Sequence, residues 1–245
     1  MRRFCWIVLT GILIGRATLP VSPSVEGQSV VPFSRAGILV EFNATAEDVG
    51  VQVRLDGEPW ESLLVFGPDG RHVLEIATER SLRSQGLTEL FFESSEPSLD
   101  ELSLEEFYQR FPEGDYLFSG ESTEGDRMSA QAPLSHAIPE GPEILSPVSR
   151  NEEPPVVSPN MALLEWEPVR SALDGSPIEI AGYEVIVEQV EPLRVLSVVL
   201  DPSVTSFVVP PEFFVQRNAE HKFEVLAIAE NGNQTITEGS FVTAP

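Results

Sequence analysis

Met161-Ala-Leu-Leu-Glu-Trp166 and Phe223-Glu-Val-Leu-Ala-Ile-Ala-Glu-Asn-Gly232 are the two runs on which the reading of this chain turns. In the second run Val225, Ala227 and Ala229 occupy alternate positions, so a strand turns all three toward one interior. Asn231-Gly232 then supplies a tight turn into a last strand, Thr235 to Val242. The first run ends on Trp166, whose ring is large enough to centre a small core.

Other strand-like runs fall around these two in a recognisable order. Pro142-Glu-Ile-Leu-Ser-Pro147 precedes Met161–Trp166, and Ile180-Ala-Gly-Tyr183-Glu-Val-Ile-Val187 follows it. Leu193 to Leu200 and Thr205-Ser-Phe-Val-Val209 come next, ahead of the Phe223 run. This succession resembles a fibronectin type III domain over residues 143–245. The resemblance implies a β-sandwich whose core is built on Trp166 with Tyr183 beside it, closed by Phe223, Val225 and Ala227. There is one departure: the family usually opens its sixth strand with tyrosine, and Phe223 stands there. The missing hydroxyl and its backbone hydrogen bond cost about 1 kcal/mol, while the ring still packs. Family members are mostly spacers and adhesive or recognition modules. The Arg-Gly-Asp tripeptide that some of them carry is absent, so only core positions carry over.

Upstream, residues 35–138 also read as β structure. Ile38–Phe42 is one strand, and Val51, Val53 and Leu55 share one face of the next. Asp56-Gly57 predicts a hairpin leading to a strand from Trp60 to Phe66. Gly67-Pro68-Asp69-Gly70 predicts a turn before His72–Ile76, and Gly86–Glu93 gives a further strand. Ser98 with Glu101, and Ser103 with Glu106, both fit a capping box, which predicts a helix near 98–111 ended by Pro112 and Gly114. The stretch Phe111-Pro-Glu-Gly-Asp-Tyr116 resembles the tyrosine corner of immunoglobulin-like sandwiches and makes Tyr116 a core candidate. The expected fold is therefore all-β, with two tandem sandwich-like domains, the first carrying an inserted short helix. Residues 139–142, with Pro139, Gly141 and Pro142, are the expected linker.

Ahead of these domains, Arg2 and Arg3 precede the apolar run Phe4–Ile14, with small residues at Gly15 and Ala17. That layout is a secretory signal peptide, residues 1–17, followed by an extended proline-bearing spacer over residues 18–34. The expected location is secreted, extracellular or periplasmic. The chain of 245 residues carries a formal net charge of -24. Loss of Arg2, Arg3 and Arg16 leaves 12 basic against 39 acidic residues, or -27. Such a surface repels nucleic acid and anionic lipid, which excludes both as expected partners. Cys5, the one cysteine, lies inside the leader, so the mature chain has no disulfide and no thiolate chemistry. That suits a bacterial origin more than a eukaryotic one.

Motifs for chemistry are sparse. His72, His136 and His221 fall on separate elements without metal-ligand spacing, and no Gly-x-Ser-x-Gly elbow or phosphate-binding glycine loop occurs. Glu105 and Glu106 diverge by about 100° on a helix, which suits a solvated face more than an acid–base pair. Asp100, Glu101, Glu105 and Glu106 form an acidic cluster without the alternating pattern of a calcium loop, so no metal or other cofactor is expected. Trp60, beside Pro59, is the candidate for stacking against a sugar ring, with an ordinary core position as the alternative. Asn43-Ala-Thr45 and Asn233-Gln-Thr235 match the glycosylation sequon. The expectation is a secreted, non-enzymatic module that binds a protein partner. The alternatives are a carbohydrate-recognition accessory protein and a hydrolase using carboxylates of the first domain.

Overall fold

The computed structural model describes residues 30–149, 153–189 and 191–245. The expected signal peptide, and the spacer up to residue 29, lie outside the described residues. The first domain runs β1 (Val30–Pro32), β2 (Arg35–Asn43), β3 (Asp48–Phe66), β4 (His72–Ala77), α1 (Arg80–Gln85), β5 (Leu87–Glu93), α2 (Leu104–Arg110), β6 (Gly114–Ser122) and β7 (Arg127–Leu134). The second comprises β8 (Ile144–Ser146), β9 (Val156–Val157), β10 (Ala162–Trp166), β11 (Ile180–Gln189), β12 (Arg194–Leu200), β13 (Ser206–Val209), β14 (Glu220–Ala229) and β15 (Gln234–Thr243).

The second domain has a fibronectin type III-like fold. Its strands β8, β10 and β13 form one sheet in the order β13-β10-β8, and β15-β14-β11-β12 form the other. The alternation seen in sequence becomes the packing: Val225 and Ala227 are fully buried, with Trp166 and Tyr183 each 1% exposed. The Trp166 and Tyr183 rings lie 5.4 Å apart, and the Tyr183 hydroxyl accepts from the Val169 amide at 2.8 Å. Phe223 is buried in the same core, its ring lying over Gly239 on the neighbouring strand.

In the first domain the expected hairpin at Asp56-Gly57 does not form. Instead β3 runs through it as one strand of 19 residues. Its first half pairs with β2 and β5, and its second half pairs with β4 and β6. Gly57 serves close packing here: a Cβ would stand 2.9 Å from the Phe33 ring and 3.1 Å from the Met128 methyl. The bend falls nearby, where the pairing with β5 shifts register between Asp56 and Trp60. β1 pairs parallel with β7 and Phe33 enters the core, so residues 30–33, expected as part of the spacer, pack into this domain.

The helix also starts later than the first capping signal suggests. Ser103 and Glu106 make a complete capping box at α2, whereas Ser98 and Glu101 form only a turn, the Glu101 amide donating to the Ser98 carbonyl. A second short helix, α1, had no sequence signal of comparable strength. The Gly67–Gly70 turn closes as expected, the Gly70 amide donating to the Gly67 carbonyl at 2.9 Å. Tyr116 is buried and its hydroxyl donates to the Pro112 carbonyl at 3.2 Å, four residues upstream.

The two domains are joined by more than a linker. β15 pairs in parallel with β2, matching Gln234 with Glu41, Thr235 with Phe42 and Ile236 with Asn43. One continuous sheet thus runs β1-β7-β6-β3-β2-β15-β14-β11-β12.

Candidate functional site

The site that the sequence does not announce is the seam between the domains. A parallel strand pair brings few backbone bonds by itself, and here side chains supply most of the rest. Asn233, 1% exposed, accepts from the Val40 amide at 2.8 Å and donates to the Ser135 and Ala137 carbonyls at 2.8 and 2.9 Å. Asn231 donates to the Ala137 carbonyl as well, and Thr235 to the Pro139 carbonyl. On the other side of the pair the Ala44 amide donates to the Ile236 carbonyl, and the Glu238 amide to the Thr45 hydroxyl, each at 2.8 Å. Asn43 Nδ2 donates to Glu238 Oε1 at 3.1 Å.

Both sequons therefore lie inside the seam. Their asparagine side chains are engaged across it, and a glycan on either would displace those bonds. The segment expected as a linker is packed too. The Glu140 amide donates to the Ser171 carbonyl and the Leu173 amide to the Ile138 carbonyl, both at 2.9 Å. At Gly141 a Cβ would stand 2.5 Å from the Ala44 Cβ and 2.8 Å from Thr237 Oγ1, so only glycine lets the segment lie in the seam.

Glu41 anchors one end of this seam. Its carboxylate, 2% exposed, accepts from Gln52 Nε2 of its own domain at 2.8 Å and from Gln234 Nε2 of the other domain. Oxygens of Glu41, Glu93 and Glu96 lie within 4.8 Å of one another. Burial pushes the Glu96 carboxyl up to about 8, and the charges of Glu93, Glu41 and Asp48 add to it. At neutral pH a proton on Glu96 thus relieves the repulsion. All three donors are carboxylate oxygens, the type a hard cation takes, and the cluster lies away from the acids at 100–106 that the sequence singled out. Of those, Glu106 is occupied in the capping box with Ser103.

Beside the seam lies a groove of about 410 Å³, lined by Arg35, Arg54, Glu184, Val199, Ile228 and Gln234 among others. It collects two arginines from a chain with 15 basic and 39 acidic residues. The Arg54 guanidinium also lies over the Phe91 ring at 5.5 Å, which holds its stem in place. A groove of this kind suits acidic or amide side chains of a partner.

Trp60 corrects the sugar-stacking expectation. It is fully buried in the first core, so no ring face is open to a ligand. Its indole N–H, like that of Trp166, has no acceptor among the described residues, so both rings act by packing alone. The histidines stay apart. His136 stacks on Tyr108 at 4.0 Å, His72 meets Phe66 edge-on at 4.5 Å, and His221 is buried against Phe241 at 5.2 Å. Burial lowers the His221 pKa. The sole signal for the seam in sequence was its run of Asn, Gln and Thr residues, which reads equally as a turn and a solvated strand.

No family model matches the chain, and no curated protein does. Among solved structures it is similar to a two-domain fibronectin type III segment of chicken tenascin, at 13% identity and TM-score 0.31, covering 84% of this chain and 97% of that one. It is also similar to the FN1–FN3 domains of chicken CNTN1, at 12% identity and TM-score 0.36, covering 88% and 65%. A third is a tetra-tandem repeat from the extending region of a large adhesion protein, at 10% identity and TM-score 0.29, covering 85% and 49%. The chain thus spans about half the length of that repeat structure. The fibronectin type III-like fold of the second domain rests on its own strand order and buried core.

Proposed function

We propose that the chain acts outside the cytoplasm as a non-enzymatic binding or structural module, a stiff tandem that offers the groove beside its seam to a protein partner. The observation that supports this reading is the β2–β15 pairing with its side-chain bonds, which fixes the groove's two walls relative to each other. A preformed site loses less conformational freedom on binding than one assembled from two loose domains. The buried Trp60 removes the feature on which the carbohydrate reading depended. Location outside the cytoplasm rests on the basic and apolar pattern of residues 1–17.

The test is a photocrosslinker placed at Arg35 in the full chain produced in its own host. The expected result is one crosslinked protein species, weakened by Arg54→Glu. A yield no higher than from the same crosslinker at exposed Met161, which is outside the groove, contradicts the reading. For location, the prediction is a product outside the cytoplasm whose first residue is Thr18. A cytoplasmic product that keeps Met1 contradicts it.

A further inference from the structure

The groove beside the seam has a backbone edge as well as side chains. β2 pairs with β3 along its whole length, but β15 reaches it only from Glu41 onward. Among the described residues no strand pairs with the other side of β2 before that point. Two bonds fix which way the groups on this edge point. The Val40 amide donates away from β3, to Asn233 Oδ1, and the Val51 amide opposite it donates away from β2, to Ser94 Oγ. Val40 and Val51 are thus a non-hydrogen-bonded pair of the antiparallel ladder. By alternation Ile38–Val53 and Ala36–Leu55 are pairs of the same kind, so the N–H and C=O groups of Ala36 and Ile38 also point away from β3. Both residues line the groove.

The same groove holds cationic groups that meet no carboxylate. Arg71 and Arg83 each pair with an acid, Asp69 and Glu61. Among the described residues neither Arg35 nor Arg54 does so, although Asp56 lies opposite Arg35 in the ladder. Arg54 is held from behind: its guanidinium lies over the Phe91 ring at 5.5 Å, and Nη2 donates to Gln52 Oε1 at 3.5 Å. The Gln52 amide is itself oriented by donating to Glu41 and Glu93 at 2.8 and 3.2 Å, so those two acids bond to Gln52. The one acid in the groove's lining, Glu184, is 6% exposed and accepts from Ser197 Oγ at 2.6 Å.

We propose that the groove takes an extended segment of a partner protein bearing a carboxylate side chain, which adds to the Arg35–Leu39 edge of β2 and sets that carboxylate on Arg54. This rests on the reading of the groove as the partner site and names what the partner presents. The outward groups of Ala36 and Ile38 supply the main-chain pairing, and alternate side chains of the added segment fall on one face. Gly37 stands opposite Arg54 in the ladder, so no side chain separates the guanidinium from a segment on the outer edge. That segment lies two strand spacings from β3, about 10 Å, a gap that an arginine and a glutamate side chain close together. A guanidinium favours a carboxylate over an amide because its hydrogen bonds are then charge-assisted. The chain's net charge of -24 opposes an acidic partner at a distance, but salt screens that repulsion beyond about 8 Å, so contact at Arg54 decides.

The test is an NMR titration of the labelled full chain with two hexapeptides, one of alternating valine and glutamate, the other of alternating valine and glutamine. The glutamate peptide is expected to shift the resonances of residues 35–39 and to slow hydrogen exchange at the Ala36 amide. It is also expected to bind about tenfold more tightly than the glutamine peptide. Arg54→Gln should abolish that preference, with a thermal melt to confirm that the variant is folded. Equal binding of the two peptides to the parent overturns the proposal, as does a preference that Arg54→Gln leaves intact. A glutamate peptide that moves no resonance of residues 35–39 overturns it as well. The photocrosslink at Arg35 judges the underlying reading separately: one crosslinked species together with equal peptide binding keeps the groove as the partner site and overturns the carboxylate alone.

Discussion

The four-stranded sheet of the second domain has two rims, and they are finished in opposite ways. At β15 the rim meets another domain, and nearly every contact is polar: Asn231, Asn233, Gln234, Thr235 and Glu238 each bond across the seam. At β12 the rim is largely aliphatic and uncharged from Val195 to Leu200, and no strand pairs with its outer side among the described residues. Polar side chains at a rim fix one partner in one register, because each buried donor left without its acceptor costs free energy. An aliphatic rim sets register only weakly and relies on its neighbours for direction. The first kind suits a permanent joint within a chain.

The most severe way to disturb this contrast is to remove the core that carries both rims. Trp166→Ala is expected to cost about 3–5 kcal/mol in chemical denaturation. Trp166→Phe should cost less, because the phenyl ring refills much of the space and no hydrogen bond of the indole is lost among the described residues. Equal losses for the two would mean that the core needs the full outline of the indole. Next comes the joint itself. Asn233→Ala orphans the buried Val40 amide and the Ser135 carbonyl, while the Ala137 carbonyl keeps Asn231, and should cost about 1–3 kcal/mol by the same denaturation. An unchanged midpoint would show that the seam's side-chain bonds do not hold.

Acidity sharpens the comparison in two directions. Glu96, raised to about 8 from 4.5, binds its proton more tightly folded than unfolded. Its contribution is fully present below pH 4.5 and is lost as pH rises through 8, and Glu96→Gln should flatten that slope. His221 behaves oppositely. Its pKa is lowered from 6.5 by burial, so its contribution is present above pH 6.5 and is lost as pH falls through the lower folded value. Melting temperatures across pH for the parent, Glu96→Gln and His221→Phe separate the two. A Glu96→Gln profile identical to the parent's contradicts the first assignment. The smallest effect is expected at the open rim, where V195K/V199K should leave monomer stability within about 0.5 kcal/mol. A larger loss would mean that these side chains already have a partner within the chain.

Much of the second domain was legible because its signals are local. Alternation at Val225, Ala227 and Ala229, and a tryptophan closing the run Met161–Trp166, specify inward faces without knowledge of the rest of the chain. In the first domain a local signal misled: Asp56-Gly57 suits a turn, yet tertiary packing of Phe33 and Met128 needs a bare backbone at Gly57, and the strand continues. Trp60 was ambiguous for a related reason, since an aromatic residue after proline reads the same at a rim or in a core. The seam was not legible at all. Its partners are nearly two hundred positions apart, as Val40 and Asn233 are, and parallel pairing leaves no turn between them to read. The two sequons marked the right residues for the wrong reason.

The central claim is that the parallel pair β2–β15 makes one body of two domains. Residual dipolar couplings measured on the labelled full chain test it most directly. If the claim holds, couplings from β2–β7 and from β10–β15 fit a single alignment tensor, and Asn233→Ala separates them. Two tensors of different magnitude in the unmodified chain would mean that the domains move independently, and the fixed groove would go with the joint.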